Sequence, residues 1–211
     1  MYVPRHFEID DVARCHDLIE RYSFGTLIVT IDGRNEATHL PFLLDRAAGL
    51  NGTLRAHLAR ANPAWKSFGE GREALVVFLG THGYISPDWY ESEAQVPTWN
   101  YVAVHAYGRP RALGPVETRD VLDRLSALHE AALLPKPIWT LGKLGAERID
   151  QLARAIVAFE IPIDRLEGKA KLSQNRTEAD VRKAAHALEQ VGGEEAKALA
   201  ALMTAAKKSR S

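Results

Sequence analysis

The run from Phe24 to Ile31 constrains this 211-residue chain more than any other stretch. Its eight residues are apolar or β-branched, it stops at Asp32-Gly33, and a second extended run, Thr38 to Leu44, follows at once. An extended run ended by a turn dipeptide and answered by another predicts an antiparallel hairpin. Leu54 to Leu58 and Leu75 to Leu79 are short apolar runs that predict central strands. Tyr101 to Arg109 alternates, with Val102, Val104, Ala106 and Gly108 on one side and Ala103, His105 and Tyr107 on the other. Ile156 to Ile163 reads as a last strand, in which Pro162 predicts an edge or an end. Consecutive strands with short links pair antiparallel. Six of them, interrupted by helices, predict a mainly β fold of the α+β class: an antiparallel, closed or partly split β-barrel with helices packed outside.

Helical periods fill the gaps. Asp10 is placed to cap a first helix with Val12, Cys15, Leu18, Ile19 and Tyr22 on one face. Asn62-Pro63 opens a short helix through Trp65 and Phe68 to Gly69. Val116 to Ala132 is amphipathic, with Val121, Leu122, Leu125 and Leu128 inward, and Glu147 to Ile156 follows the same rule. Thr177-Glu178-Ala179-Asp180 resembles a capping box, with Asp where Glu or Gln is preferred. A helix carrying Val181, Ala184, Ala185 and Leu188 follows, broken by Gly192-Gly193, and a second runs from Glu194 to about Ala206. This alanine-rich stripe can cover a shallow surface. The expected division is a barrel domain over residues 1–176 and a helical extension over 177–211.

Composition excludes several classes. Lys plus Arg and Asp plus Glu number 27 each, so no global field draws the chain to nucleic acid or membrane. A single cysteine, Cys15, cannot form an internal disulfide, which favours a reducing compartment. Its place on an apolar helix face predicts an inert thiol. No apolar signal core or membrane-length run is present, so a cytoplasmic location is expected. The eight histidines fall at no metal-ligand spacing, and there is no G-x-S-x-G, G-x-G-x-x-G or P-loop pattern.

Three stretches concentrate chemistry instead. His57-Leu58-Ala59-Arg60-Ala61-Asn62-Pro63 ends at a helix start, where backbone amides favour phosphate, and Arg60 adds a charge-assisted contact. The alternative is that Asn62 only caps and Arg60 is a solvated charge. Val96-Pro97-Thr98-Trp99-Asn100-Tyr101 closes an aromatic-rich loop from His82 to Gln95. Trp99 offers a flat face for stacking on a ring, and Thr98 and Asn100 offer hydrogen bonds. An aromatic loop folded over a barrel end, or a dimer contact, serves equally well. Lys169-Ala170-Lys171-Leu172-Ser173-Gln174-Asn175-Arg176 sets three positive charges around Ser173, Gln174 and Asn175, as an anion-holding loop after the last strand does. A solvated basic linker is the plain alternative.

These blocks resemble one family. Met1-Tyr2-Val3-Pro4-Arg5-His6-Phe7, Thr38-His39-Leu40-Pro41-Phe42, the His57 run, Tyr84-Ile85-Ser86-Pro87, the Val96 run and Leu172 to Arg176 occur in the order of the PaiB-type FMN-binding negative transcriptional regulators. The resemblance extends from residue 1 to about residue 190. Ala170 departs from it, standing where an aromatic is expected between two lysines. The resemblance implies an FMN-binding split barrel, similar to pyridoxamine-phosphate oxidases and flavin reductases, that works as a homodimer. FMN then lies at the subunit interface, held by residues among His39, His57, Arg60, Asn62, Thr98, Trp99, Asn100, Lys171, Ser173, Gln174, Asn175 and Arg176.

Two functions follow as expectations: an FMN-binding homodimeric repressor, or a flavin-dependent oxidoreductase in which the flavin carries the redox step. A haem-handling split barrel is a third, without an evident axial histidine. DNA is a weakly supported partner. The sole helix-turn-helix candidate, residues 177–206, has one basic residue in its second helix before the end, Lys197, and then Lys207, Lys208 and Arg210.

Overall fold

The computed structural model describes residues 1–208, and of Lys208 only the backbone. Its strands are β1 (Glu8–Ile9), β2 (Phe24–Ile31), β3 (Arg34–Pro41), β4 (Leu43–Asp45), β5 (Thr53–Ala59), β6 (Ala74–Ile85), β7 (Thr98–Gly108), β8 (Arg111–Ala112) and β9 (Ile156–Lys171). Its α-helices are α1 (Val12–Arg21), α2 (Pro115–Ala131), α3 (Ala146–Arg154), α4 (Glu178–Val191) and α5 (Glu194–Lys208). The described strands form one sheet in the order β3-β2-β6-β7-β9-β5-β4, with β1 and β8 also pairing with β9. The sheet does not close on itself: β3 and β4 are its ends. The mainly β, split-barrel architecture expected from the sequence is therefore present. Among the described residues no helix is long and apolar enough to cross a membrane.

Two compact units divide the chain, one formed by His16–Phe78 and His105–Leu166, the other by Met1–Cys15, Leu79–Val104 and the chain from Glu167 onward. In the first, the β2–β3 hairpin pairs through all eight residues, Phe24↔Pro41 to Ile31↔Arg34, around the Asp32-Gly33 turn. Asp32 and Gly33 both take positive φ, as a tight hairpin turn requires. Phe42 packs edge-on against Phe78 and Phe159 at 5.6 and 6.3 Å. Leu43, Val121 and Leu125 form a cluster beneath α2. In the second unit, α4 and α5 bury Val181, Ala184, Ala185 and Leu188, with Leu199, Ala200 and Met203.

Several local expectations are corrected. There are nine strands among the described residues rather than six, because β1 and β8 are short additions and the expected Thr38 to Leu44 strand is divided into β3 and β4; β6 and β9 also continue past the apolar runs that mark them. His82 to Ile85 belongs to β6, and Lys169 and Lys171 stand in β9, not in a following loop. Hydrogen bonding of neighbouring strands carries both past their hydrophobic stretches. Pro162 lies in a central strand. It is tolerated because it sits at the last residue pair with β5, Thr53↔Pro162, where the ladder ends. Gly108 meets it from β7: a Cβ there would lie 2.1 Å from the Pro162 carbonyl oxygen. Asp11, not Asp10, caps α1, its carboxylate accepting from the Ala13 amide at 2.8 Å. Leu128 is exposed rather than inward, and Ile156 opens β9 rather than closing α3. Cys15 is buried, and burial followed by the charge of Asp11 pushes its thiol up to about 11, so the thiolate is scarce at neutral pH.

Candidate functional site

The first unit holds the residues of the His57 block. His57 sits on β5 with its Nδ1 buried and unpartnered, and burial lowers its pKa, so the ring is neutral. Asn62 caps a 3-10 turn over Pro63–Ser67: its side-chain oxygen accepts from the Ala64 amide at 2.9 Å. Its Nδ2 donates to Thr38 Oγ1 at 3.0 Å, which ties β3 to this turn. His39 points to the opposite face of β3 from Thr38, pairs with Thr26 Oγ1 at 2.9 Å and stacks on Phe24. Arg60 reaches the end of α3 and the start of β9. Its Nε and Nη2 donate to the carbonyls of Arg154 and Ile156 at 2.7 and 2.6 Å, and its guanidinium lies over Trp65. Two of its five donors are thus spent on ending α3, and three remain.

The second unit gathers the other two blocks. Asn100 is fully buried; its Nδ2 donates to Ser173 Oγ at 2.9 Å, and its Oδ1 is left without a donor. Ser173 takes a left-handed φ of 64°, and Tyr90 reaches it at 3.5 Å. Lys171 donates to Thr98 Oγ1. Burial, then the charges of Lys169 and Arg176, lower its pKa. Lys169 donates to the Tyr2 carbonyl and stands 5.2 Å from the Tyr101 ring centre. Arg176 donates to Gln95 Oε1 and covers Tyr90. Among the described residues none of these three cations has a carboxylate partner. Trp99 presents an exposed ring, edge-on to Tyr84.

Gln174 folds back on its own loop, accepting from the Leu172 amide and donating to the Ala170 carbonyl. Asn175 is exposed. The structure thus joins Thr98 with Lys171 and Asn100 with Ser173, and ties Asn62 to Thr38. It does not join His39, His57 and Arg60 by hydrogen bonds.

Asp180 is a residue that sequence reasoning passed over. It is buried and accepts from the Glu91 amide, the Ser92 amide and the Ser92 hydroxyl at 2.8–2.9 Å. Burial alone would raise this carboxyl. The bonds from Ser92, Thr177 and Glu91 outweigh it and hold the pKa at about 2. The signal was Asp in place of Glu in the capping box. Its short side chain does not reach back along the helix, and it turns instead to the loop before β7. Lys207, expected as part of a basic tail, donates to the Arg176 and Gln174 carbonyls. Arg210 lies outside the described residues.

What the second set of residues can do is hold an anion. Three cations crowd together without a counter-charge, next to a buried acceptor awaiting a donor. A flavin mononucleotide fits both demands: its phosphate supplies the charge, and its ring imide and ribityl hydroxyls supply donors. No group of three or more His, Cys, Asp or Glu among the described residues is placed for a metal ion.

Comparison with known proteins agrees with this chemistry. Residues 1–165 match the family described as "Putative FMN-binding domain". The chain is 34% identical over 203 residues to the protease synthase and sporulation protein PAI 2 of Bacillus subtilis, covering 96% of both chains. It is 32% identical over 135 residues to the yeast protein YKL070W of Saccharomyces cerevisiae, covering 54% of this chain and 79% of that one. Among solved structures, an FAD- and haem-binding protein of Mycobacterium smegmatis superposes with a TM-score of 0.57 at 18% identity, over 78% of this chain and 73% of that one. The flavocytochrome Anf3 of Azotobacter vinelandii gives 0.56 at 15%, over 93% and 78%.

Proposed function

The chain belongs to this FMN-binding family, with FMN as its cofactor, and we propose that it works as a cytoplasmic homodimer of the PaiB type that acts as a negative transcriptional regulator. The observation that carries the flavin site is the uncompensated trio Lys169, Lys171 and Arg176 around Ser173. We assign the anionic part of FMN to Lys171, Arg176 and the remaining donors of Arg60, and donors of FMN to Asn100 Oδ1 and His57 Nδ1. Trp99 supplies the stacking face; Thr98, Ser173 and Asn62 set the positions of these groups; His39, Gln174 and Asn175 border the site. Each site draws on the His57 block of one subunit and the Lys171 block of its partner. An open sheet with exposed edges favours such pairing.

Lys171→Met is expected to weaken FMN binding about 10–100-fold, the loss of one charge-assisted contact, while riboflavin changes little. Fluorescence titration of both flavins checks this; an equal loss for both would remove the phosphate from Lys171. Mixed dimers test the sharing. One chain carries Arg60→Ala and the other Lys171→Met with Arg176→Ala. A shared site places both lesions in one site and restores half the binding on mixing. Sites confined to one chain regain nothing, and sedimentation of a monomer at micromolar concentration removes the dimer.

The regulatory part rests on the resemblance of the sequence blocks to the PaiB-type regulators. Charge balance and the engagement of Lys207 argue that a single chain grips DNA weakly. Gel shifts at physiological salt are expected to show weak binding with little sequence preference. A nanomolar, sequence-specific complex would place a basic surface elsewhere on the dimer.

A further inference from the structure

In the first unit, α3 buries none of its residues, yet it is amphipathic. Ile149 and Ala153 of α3, Val116 and Leu122 of α2, Trp65 and Ile156 wall a cavity of about 750 Å³. That is the size and character of a small-molecule site, concave and mostly apolar with a few polar groups at its edge. The charges at the edge are mostly positive. Arg60, Arg119 and Arg154 line the cavity with a single acid, Asp150, and Arg119 already pairs with it at 2.5 Å. Arg60 is held by two carbonyls. The Arg154 guanidinium has no hydrogen bond or ion pair among the described residues.

We propose that this cavity binds an amphipathic monocarboxylate, with an apolar body of about ten carbons between α2 and α3 and its carboxylate on Arg154. An apolar body removes the exposed faces of both helices from water, and the head group gives Arg154 the negative partner that it lacks. A cationic amphiphile would face two uncompensated arginines, and a neutral one would leave Arg154 as it is. The cavity shares Arg60 with the proposed flavin site, but His57, Asn62 and Lys171 do not line it.

Calorimetric titration of the full chain with decanoate, decanol and decyltrimethylammonium tests this. Decanoate is expected to bind saturably, one per chain, with decanol at least about tenfold weaker and the cation undetected. Arg154→Gln should weaken decanoate about tenfold and leave decanol unchanged. Ala153→Trp should fill the cavity and abolish both. Both positions lie on a helix without buried residues, so melting temperatures should stay close to that of the parent. Because the carboxylate is assigned to Arg154 and not to Arg60, decanoate at saturation should leave FMN affinity unchanged.

Equal binding of decanoate and decanol, or an unaltered Arg154→Gln, would remove the head-group assignment. Decanoate binding that survives Ala153→Trp would move the ligand elsewhere. Displacement of FMN would merge the cavity with the flavin site. If decanoate fails to bind while Ala153→Trp lowers the sedimentation coefficient, a second copy of the chain covers this face and the ligand proposal falls.

Discussion

Replacing Asp180 with alanine is expected to cost about 2–4 kcal/mol and to release the loop that leads into β7. Three donors lose their acceptor together, and two are backbone amides, of Glu91 and Ser92. An amide left unsatisfied away from water costs about 1–3 kcal/mol. The consequence reaches the flavin residues, because this loop holds Tyr90 beside Ser173 and feeds directly into Thr98, Trp99 and Asn100. Hydrogen exchange at the Glu91 and Ser92 amides should rise, and FMN affinity should fall with it. The pH dependence has a definite sign. The folded carboxyl titrates at about 2, below its ordinary value near 3.8, so the stabilisation is complete above the ordinary value. It is lost as pH falls from there through about 2. Urea midpoints between pH 5 and pH 2.5 should therefore decline in the parent by more than in Asp180→Asn, which has no carboxyl to titrate. Parallel declines in both, with unchanged exchange at residues 91 and 92, would show that other carboxylates hold the loop.

Much of the fold is legible in the sequence where periodicity is local. The β2–β3 hairpin announces itself through Asp32-Gly33, and α2 through the spacing of Val121 and Leu125. Thr177 caps α4 as its position predicts, accepting from the Asp180 amide. What stays hidden depends on partners distant in sequence. Lys169 and Lys171 read as a basic loop because nothing local says that β1 pairs with β9 there, Glu8↔Lys169. The polar residues of the candidate site stand out because Asn, Ser and Lys beside aromatics serve no apolar period. Which of them meet does not stand out: Asn100 and Ser173 are 73 residues apart, and only strand register brings them together. Gln174 and Asn62 show the converse. Each looks like a ligand group in sequence, and each spends its amide on nearby backbone or on a neighbouring strand. A side-chain amide can bond backbone two residues away as readily as a ligand, and sequence alone does not separate the two.

Glu160 carries the second large effect. It is a buried carboxylate on β9, and it joins three strands: Arg55 of β5 donates to it at 3.2 Å and Arg111 of β8 at 2.7 Å. Arg55 also reaches Asp45 of β4, so one chain of charges crosses four strands. The register places these groups opposite one another, Arg55↔Glu160 and Arg111↔Glu160. Removing the carboxylate leaves the half-buried Arg55 with only its longer contact to Asp45. Breaking a buried pair from one side costs about 3–5 kcal/mol, and the remaining Asp45 and the solvent access of Arg111 place Glu160→Ala near the lower end, about 3 kcal/mol. For a chain of this size that lowers the melting temperature by about 6–12 °C. Arg111→Ala removes an exposed partner and should cost under about 1 kcal/mol. Glu160→Gln keeps one acceptor and should fall between them. Calorimetry of the three variants orders the effects, and it separates a network centred on the buried acid from one in which each surface arginine counts alone. Equal costs for Glu160→Ala and Arg111→Ala would exclude the first. The expected order follows from burial: the group that water cannot reach is the one whose partners cannot be replaced.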